Sequence, residues 1–261
     1  MHLDVAVAAG VATIRFNRPE VLNAFDAELG AEALGAVRSA AGDEGVRCVV
    51  LTGAGRAFCS GEDLGALAEG YSQGLPADLG RILRERYNPL IRAIRATPKP
   101  VMAALNGVAA GAGASIALAC DVRIASSQAT LVWPFVKVGL VPDSGALWFL
   151  TRMVGASRAW SLVADAKPVS AAEASSLGLV HRVVPAGEFE PTWQEEAQRL
   201  ASGPTRAYAL TKALLAQAAE LPLDEQLERE VAAQAESGAT RDHIEGVQAF
   251  LSKRRPQWQG R

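Results

Sequence analysis

The spacing of apolar and polar residues predicts a strand hairpin followed by alternating strands and helices. Residues 3–16 form two predicted strands around a turn at Ala9-Gly10, and the second alternates apolar and polar positions as a half-buried strand does. Asp26 stands where it can cap a following helix whose apolar positions recur at helical spacing. Later strands are predicted at residues 46–52, 101–105, 121–125, 130–132 and 179–184.

Helical spacing is strongest between residues 79 and 94, where seven apolar or aromatic residues recur on one face. Pro89 lies inside this helix and should kink it, because proline removes one internal hydrogen bond. The run at residues 98–100, with two prolines, ends it. By contrast, residues 65–79 are glycine-rich without strong periodicity, which predicts a mobile segment with little fixed structure.

The pattern changes near residue 192, after which only helices are predicted. These helices cover residues 193–202, 205–218, 223–236 and 241–252. Before this point strands and helices alternate, as they do in α/β proteins. We therefore expect an α/β core over residues 1–191 and a C-terminal helical region over residues 192–261.

Two apolar stretches break into small residues and then resume with a helical pattern, at residues 50–64 and 105–121. Small residues allow a ligand to approach the main chain closely. The start of a helix adds unpaired N–H groups and the positive end of the helix dipole. Two such breaks can direct backbone N–H groups at one point, which is the arrangement of an oxyanion hole.

Composition argues against several other classes of function. Of the 261 residues 49% are hydrophobic, and the net charge of −2 comes without the basic patch typical of duplex nucleic-acid binding. No apolar run reaches the ~18 residues of a membrane span and no signal peptide is recognised, so a soluble cytoplasmic protein is expected. The three cysteines are expected to be buried and reduced, and the three histidines are too scattered to predict a metal site.

Six motifs in order resemble those of the crotonase superfamily, also called the enoyl-CoA hydratase/isomerase family. They are RPEVLNAF at residues 18–25, GAGRAFCSGEDL at 53–64, NGVAAGAG at 106–113, ACD at 119–121, GLVPDSG at 139–145 and AFLSKRRP at 249–256. Each motif alone is weakly specific, whereas six in this order over nearly the whole chain are strongly specific. The motif at 139–145 looks much like that of family isomerases that act on ring-derived acyl-CoA in phenylacetate breakdown.

The resemblance implies a ClpP/crotonase-like α/β fold, a spiral of ββα units with a C-terminal helical region that builds homotrimers or hexamers of paired trimers. It implies an acyl-CoA substrate, so coenzyme A arrives as part of the substrate and no permanently bound cofactor is expected. It also implies that the thioester oxygen accepts hydrogen bonds from the backbone N–H groups of Glu62, after Ser60-Gly61, and Ala112, after Gly111.

The remaining ligand contacts also come from the resemblance. Family members hold the adenine and pantetheine of CoA at the positions of Ser60 and Leu64. Phe250 and Lys253 match an aromatic and a basic residue that reach CoA from a neighbouring subunit, and a lysine suits a phosphate. The CoA-binding set expected in this chain is Val21, Ala24, Ser60, Gly61, Glu62, Asp63, Leu64, Gly111, Ala112, Phe135, Phe250 and Lys253.

The chain departs from family hydratases at the two positions where they carry glutamates. Ser115 and Phe135 stand there, and neither side chain can act as a carboxylate base. One carboxylate remains in a suitable place, Asp143, where some family isomerases carry an aspartate. A single base can move a proton from one carbon of the acyl chain to another, so we expect an isomerase with Asp143 as proton shuttle. Burial in an apolar pocket should raise the pKa of this carboxyl.

Several alternatives stay open at the level of sequence. Asp143 could cap the helix predicted from residue 146, Asp63 could serve only to hold its loop, and residues 253–255 could be a solvated tail. The side chain of Glu62 could itself act as an acid or base. A hydratase working by an altered route and a non-catalytic acyl-CoA-binding protein are the alternative functions. The acyl group and the choice between trimer and hexamer are also open.

Overall fold

The computed structural model describes residues 2–260, apart from the side chains of Ala66 and Glu69. Within these residues the chain forms ten strands and eleven α-helices. The strands are β1 (Leu3–Ala8), β2 (Val11–Phe16), β3 (Cys48–Gly53), β4 (Ala57–Cys59), β5 (Val101–Leu105), β6 (Val108–Ala110), β7 (Val122–Ser126), β8 (Thr130–Val132), β9 (Val169–Ser170) and β10 (Arg182–Val184). The α-helices are α1 (Ala27–Gly42), α2 (Ala68–Ser72), α3 (Leu79–Ile82), α4 (Asn88–Ala96), α5 (Ala112–Ala119), α6 (Ala146–Asp165), α7 (Ala171–Ser176), α8 (Phe189–Ala201), α9 (Thr205–Ala218), α10 (Leu223–Gly238) and α11 (Arg241–Leu251). A π-helical turn, Leu83–Tyr87, joins α3 to α4, and short 3-10 helices occupy Pro19–Val21, Leu64–Leu67, Pro134–Val138 and Ala186–Glu188.

Successive strand pairs divide between two sheets, and this division produces the expected spiral of ββα units. The large sheet has the order β1-β2-β3-β5-β7-β10, and the small sheet has the order β4-β6-β8-β9. After each of β3, β5 and β7 the chain turns through a few residues and enters the small sheet as β4, β6 or β8. These three small-sheet strands are parallel, so their carboxyl ends lie along one edge. The α/β fold predicted from the sequence is confirmed.

Both faces of the large sheet are covered, as is usual for parallel strands. Along β3, Val49 and Leu51 join the main core with apolar residues of α1 and α4, whereas Cys48 and Val50 join a second cluster beneath α8. Helix α8 therefore packs on the sheet while running through residue 192, the start of the expected helical region. The division into a 1–191 core and a 192–261 helical region stays a prediction.

The N-terminal hairpin and the cap of α1 follow the sequence prediction. Strands β1 and β2 pair antiparallel around Ala9 and Gly10, which have φ of 49° and 79°. Positive φ at both turn residues is typical of a two-residue hairpin that matches the strand twist. Asp26 accepts a hydrogen bond from the Leu29 N–H at 2.8 Å and so caps α1.

The helix predicted from residue 79 forms, and its expected distortion takes the form of a π-helical turn. Within this turn region, the Asn88 N–H donates to the carbonyl of Leu83, five residues earlier. Pro89 follows directly, in the first turn of α4. A π-turn is a common way to accommodate a break in the regular hydrogen-bond ladder, and such turns are frequent at functional sites.

Residues 65–79 differ from the prediction of little fixed structure. They contain most of the 3-10 helix Leu64–Leu67 and all of α2, Ala68–Ser72. Glycine-rich sequence hides these short elements because neither is long enough to show a hydrophobic period. The three-residue strands β4 and β6 were likewise not predicted as separate strands, because each follows its neighbour within a few residues.

Helices alone follow β10 in the described part of the chain, as predicted. Helices α8 to α11 match the expected segments within a few residues at each end. None of the helices within residues 2–260 is long and apolar enough to cross a membrane. The three cysteines are free and buried, as expected from their apolar neighbours.

Candidate active site

A cavity of about 210 Å³ lies at the carboxyl ends of the parallel small-sheet strands. Its polar wall follows these strands: Ser60, Gly61 and Glu62 come after β4, and Gly111 and Ala112 come after β6. Its apolar wall is formed by Leu64, Tyr71, Leu79, Ile82, Leu83, Tyr87, Pro134, Phe135, Val138 and Leu140, and Lys137 and Asp143 complete the lining.

The first break in the sequence forms a tight turn after β4. Gly61 has φ of +94°, a region that side chains rarely adopt, and its N–H donates to Sγ of Cys59 at 3.4 Å. On either side of Glu62 the main chain is bonded to Phe25. The Phe25 N–H donates to the carbonyl of Gly61, and the Asp63 N–H donates to the carbonyl of Phe25. This pairing holds the turn and leaves the Glu62 N–H without an acceptor within residues 2–260.

The second break begins α5. Gly111 has φ of 54° and ψ of −124°, and its N–H donates to the carbonyl of Val132 in β8. Ala112 is the first residue of the helix, so its N–H is one of those that the helix itself cannot satisfy. In the described part of the chain, no protein acceptor binds this N–H.

The two breaks touch each other, which makes glycine necessary on both sides. A Cβ atom added to Gly61 would lie 3.0 Å from the carbonyl oxygen of Ala110 and 3.4 Å from the nitrogen of Ala112. A Cβ atom added to Gly113 would lie 2.3 Å from the carbonyl oxygen of Cys59. Close contact of the two turns brings the N–H groups of Glu62 and Ala112 to one wall of the cavity, where they can serve as donors to a single oxyanion.

Asp143 faces the same cavity and does not cap α6. The N-cap position belongs to Gly145, which makes no side-chain cap, and only the backbone carbonyl of Asp143 bonds to the Ala146 N–H. Burial raises the pKa of Asp143 to about 6, against a hydrogen bond from the Ser144 hydroxyl, at 2.8 Å, that lowers it. The negative charge of Glu62 adds to the increase in pKa. A carboxyl with this pKa can both accept and return a proton near neutral pH.

The side chain of Glu62 is committed to two residues that the sequence did not indicate. Arg86 Nη1 donates to both carboxylate oxygens at 2.6 and 2.8 Å, and the Tyr87 hydroxyl donates to Oε2 at 2.6 Å. These partners lie 24 and 25 residues further along the chain. The ring of Tyr87 could be placed on the apolar face of its helix from spacing, but no local signal connects either residue to Glu62.

Ser115 and Phe135, which the resemblance placed at the positions of two glutamates, supply no carboxylate to the cavity. Ser115 is fully buried, and its hydroxyl is within hydrogen-bonding distance of the carbonyl oxygens of Gly111 and Asp143, at 3.1 and 3.2 Å. Phe135 is buried and presents its ring to the cavity. Asp143 and Glu62 are therefore the only carboxylates among the described residues that line this cavity.

The predicted CoA-binding residues divide into three groups. Ser60, Gly61, Glu62, Leu64, Gly111, Ala112 and Phe135 line the cavity. Three others lie beside it without lining it: the carbonyl of Val21 accepts a hydrogen bond from the Ser60 hydroxyl, the carbonyl of Ala24 accepts one from Arg18, and Asp63 pairs with Arg18 at 3.0 Å.

Phe250 and Lys253 form the third group, at and just after the end of α11. Phe250 is 83% exposed and borders a different cavity, between α9, α11 and Trp258. A single chain thus does not bring these two residues to the site, as expected if they serve a neighbouring subunit. Their role, and the CoA contacts of the other two groups, stay predictions.

Comparison with known proteins identifies the family of this chain. A family model described as enoyl-CoA hydratase/isomerase matches residues 6–261. A protein of Rhodobacter capsulatus named "Probable enoyl-CoA hydratase" is 45% identical over 98% of this chain and 96% of its own length. The 1,2-epoxyphenylacetyl-CoA isomerase of Escherichia coli is 42% identical over 98% of this chain and 97% of its own.

A solved structure shows the same fold. The enoyl-CoA hydratase from Bacillus anthracis superposes with a TM-score of 0.93 at 32% identity, covering 100% of both chains. With the spiral fold, the paired turns and these full-length matches, the chain belongs to the enoyl-CoA hydratase/isomerase family, the crotonase superfamily.

Proposed function

We propose that this family member is an isomerase of unsaturated acyl-CoA thioesters. The observation that carries the proposal is one half-buried carboxyl, Asp143, on the same cavity as two backbone N–H groups that have no acceptor within residues 2–260. The only other carboxylate lining that cavity within residues 2–260, Glu62, is held by Arg86 and Tyr87. A double-bond shift needs one group that moves a proton, whereas addition of water in the usual family manner uses two carboxylates.

In the proposed reaction the substrate is a 3-enoyl thioester. The Asp143 carboxylate removes a proton from C2, and the electron pair moves onto the thioester oxygen to give a dienolate. The N–H groups of Glu62 and Ala112 stabilise this oxyanion, and one such donor can be worth roughly 3–4 kcal/mol of barrier. Asp143 then returns the proton at C4 while the carbonyl re-forms, which yields the 2-enoyl thioester and restores the carboxylate.

Substrate binding is proposed to follow the family pattern. The apolar wall of the cavity suits the acyl chain, and Ser60 and Leu64 stand at the cavity where pantetheine would enter. Coenzyme A is thus part of the substrate. We also propose that Phe250 and Lys253 complete the CoA site of a neighbouring subunit in a homotrimer or in a hexamer of two trimers.

A hydratase acting by another route is the second candidate, favoured by the name of the R. capsulatus relative. In that case Asp143 would position water for attack on a 2-enoyl thioester. Against it stand the buried serine and phenylalanine in place of the usual two acids.

The experiment that separates these candidates offers 2-enoyl, 3-enoyl, saturated and aryl-acetyl CoA thioesters in heavy water and follows the products by mass spectrometry. An isomerase interconverts the 2- and 3-enoyl thioesters and incorporates deuterium at C2 or C4 without gaining oxygen. A hydratase forms a product heavier by one water, and a parallel reaction in ¹⁸O-labelled water places labelled oxygen in that product. Binding with neither change would indicate an acyl-CoA-binding protein and would contradict the proposal.

A further inference from the structure

The π-helical turn Leu83–Tyr87 places two polar side chains on the carboxylate of Glu62. The ion pair between Arg86 and Glu62 is largely shielded from water, since the two side chains are 15% and 17% exposed. Hydrogen bonds between charged partners are roughly twice as strong as neutral ones. Together with the hydroxyl of Tyr87, they hold the side chain of the residue whose backbone N–H faces the cavity.

Two neighbouring elements are shaped to admit this arrangement. Gly30 in α1 is buried, and a Cβ atom there would lie only 2.4 Å from Cγ of Arg86. The ring of Tyr87 stacks on the ring of Phe25, with centroids 5.9 Å apart. Phe25 in turn bonds the main chain on both sides of Glu62. The same cluster therefore holds Glu62 through its backbone and through its side chain.

We propose that Arg86 and Tyr87 are positioning residues for the oxyanion hole: by holding the Glu62 carboxylate they direct the Glu62 N–H at the thioester oxygen and neutralise the Glu62 charge beside Asp143. This inference rests on the proposed function, because it assumes that a thioester oxygen occupies the hole. Neither residue is a catalytic residue, since the guanidinium and the hydroxyl are both committed to Glu62.

Among the described residues, four other titratable groups share the cavity with Asp143. They are Glu62 from the loop after β4, Lys137 from the 3-10 helix Pro134–Val138, Tyr71 from α2 and Tyr87 from the π-turn. The negative charge of Glu62 raises the pKa of Asp143, and Arg86 offsets part of that charge. Removing Arg86 should raise the pKa of Asp143 further, and removing the Glu62 charge should lower it.

The test compares Arg86→Met, Arg86→Lys and the double variant E62Q/R86M with wild-type enzyme. Arg84→Met is the matched control, because Arg84 lies in the same π-turn but is exposed and does not line the cavity. Arg86→Met should lower kcat by roughly 10- to 100-fold, the scale expected for a small misplacement of a catalytic group, while Kd for a saturated acyl-CoA changes by less than about 3-fold.

The pH profile separates positioning from general damage to the fold. In Arg86→Met the acid limb of kcat should move to higher pH, because Asp143 must be ionised to act as a base. In E62Q/R86M the acid limb of kcat should lie at lower pH than in wild type. Arg86→Lys should restore the position of the limb but only part of kcat, since the shorter lysine side chain does not carry its ammonium to the position of Arg86 Nη1. Arg84→Met should match wild type in all respects.

A measurement without turnover keeps this inference separate from the proposed reaction. The infrared band of a ¹³C-labelled thioester carbonyl, in a bound saturated acyl-CoA, should shift to lower frequency in wild type and shift less in Arg86→Met. If wild type catalyses no isomerisation but the band still depends on Arg86, the isomerase proposal fails and the positioning role stands. If Arg86→Met keeps both the wild-type band and the wild-type kcat, the positioning role is wrong.

Discussion

At the scale of single residues, burial and one hydrogen bond have opposite effects on the pKa of Asp143. Removal from water disfavours the charged carboxylate, and the Ser144 hydroxyl favours it. Burial is the larger effect, so the pKa of Asp143 rises to about 6. At neutral pH the carboxyl is mainly ionised and can accept a proton from the substrate. Because its pKa is close to neutral pH, the protonated carboxyl can also return that proton.

Replacing this carboxyl should abolish proton transfer while leaving the binding site in place. Asp143→Asn is expected to reduce isomerisation and deuterium incorporation by at least about 100-fold, the lower end of the contribution of a general base. Its Kd for a saturated acyl-CoA should stay within a few-fold of wild type, measured by calorimetry. Undiminished turnover in Asp143→Asn would remove Asp143 from the mechanism.

The same residue should weaken the fold at neutral pH. A carboxyl with a raised pKa binds its proton more tightly in the folded state. The contribution of Asp143 to the free energy of unfolding is therefore greatest below the ordinary carboxyl pKa near 3.8. That contribution is lost as the pH rises through the folded-state pKa of about 6. Asp143→Asn should thus be more stable than wild type at pH 7, by on the order of 2 kcal/mol.

Urea unfolding of both proteins between pH 4 and pH 7 measures this difference, with the two curves converging at the acid end. Equal stability at pH 7 would show that the carboxyl is better solvated than its burial indicates.

At the scale of elements, the proposed oxyanion hole depends on two chain reversals that pack against each other. Each follows a three-residue strand of the small sheet, so neither could be moved without changing the sheet. Gly61 supplies a positive φ and Gly113 supplies a surface without a Cβ atom, and the second turn then begins a helix. Position along the edge of the sheet, rather than any single side chain, creates the pair of donors.

Gly61→Ala should therefore damage the hole more than the fold. The added methyl group would meet the carbonyl of Ala110 at 3.0 Å and disturb the nearby Ala112 nitrogen, so kcat should fall by about 100-fold, as when one hole donor is lost. Gly74→Ala is the control, because Gly74 also has a positive φ of 72° but has open space around it. It should show only the strain of a left-handed alanine, about 1 kcal/mol of unfolding free energy.

Steady-state kinetics and chemical unfolding of the two variants give this comparison. An equal loss of kcat in both would mean that backbone strain, and not contact between the turns, is responsible.

The cap of α1 offers a prediction about stability. Asp26 bonds the Leu29 N–H and also pairs with Arg18 at 3.2 Å, and these contacts lower the pKa of Asp26 even though burial opposes them. Asp26→Ala should cost about 1 kcal/mol at pH 7. A lowered pKa means that the stabilisation is present above the ordinary carboxyl pKa and lost as pH falls through the folded value. The difference from wild type in thermal unfolding should accordingly shrink in acid.

Sequence patterns predicted those elements whose cause is local. The hairpin at Ala9-Gly10 and the cap at Asp26 each depend on residues within a few positions, and both were found as expected. The two breaks at residues 50–64 and 105–121 could be found because small residues are visible in sequence, and the structure shows a turn at each. The contact of Glu62 with Arg86 was not, because it joins segments whose approach is decided by the π-turn and by the space above Gly30. Short strands such as β4 were missed because sheet pairing, not residue pattern, defines them.

At the scale of the whole molecule, the C-terminal helices expose an apolar surface that one chain does not cover. Leu223, Leu227 and Val231 recur every four residues on α10 and are all exposed. Residues at this spacing form a continuous stripe on one side of a helix. Ile244, Val247, Phe250 and Leu251 are exposed on α11 as well. Surfaces of this kind mark contacts between proteins, which agrees with the proposed trimer or hexamer.

A charge placed in the stripe should dissociate the assembly. Val231→Asp is expected to sediment more slowly than wild type at micromolar concentration, because it would bury an unpaired carboxylate. Ala232→Asp, also exposed on α10 but outside the stripe, should sediment like wild type. If Phe250 and Lys253 serve a neighbouring subunit, dissociation should also weaken acyl-CoA binding. Unchanged sedimentation of Val231→Asp, or a monomeric wild type, would contradict the proposed assembly.

The three buried cysteines can report local opening of the fold, because each thiol reacts only when its segment is exposed to solvent. Cys48 lies under α8, Cys59 accepts a hydrogen bond from the turn at Gly61, and Cys120 directly follows α5. Burial raises the pKa of each thiol to about 12. Alkylating reagents attack thiolates, so labelling at each position must wait for its own segment to open. Alkylation rates measured at each cysteine by mass spectrometry would show which segment opens most readily. An acyl-CoA bound in the cavity should slow the alkylation of Cys59 far more than that of Cys48.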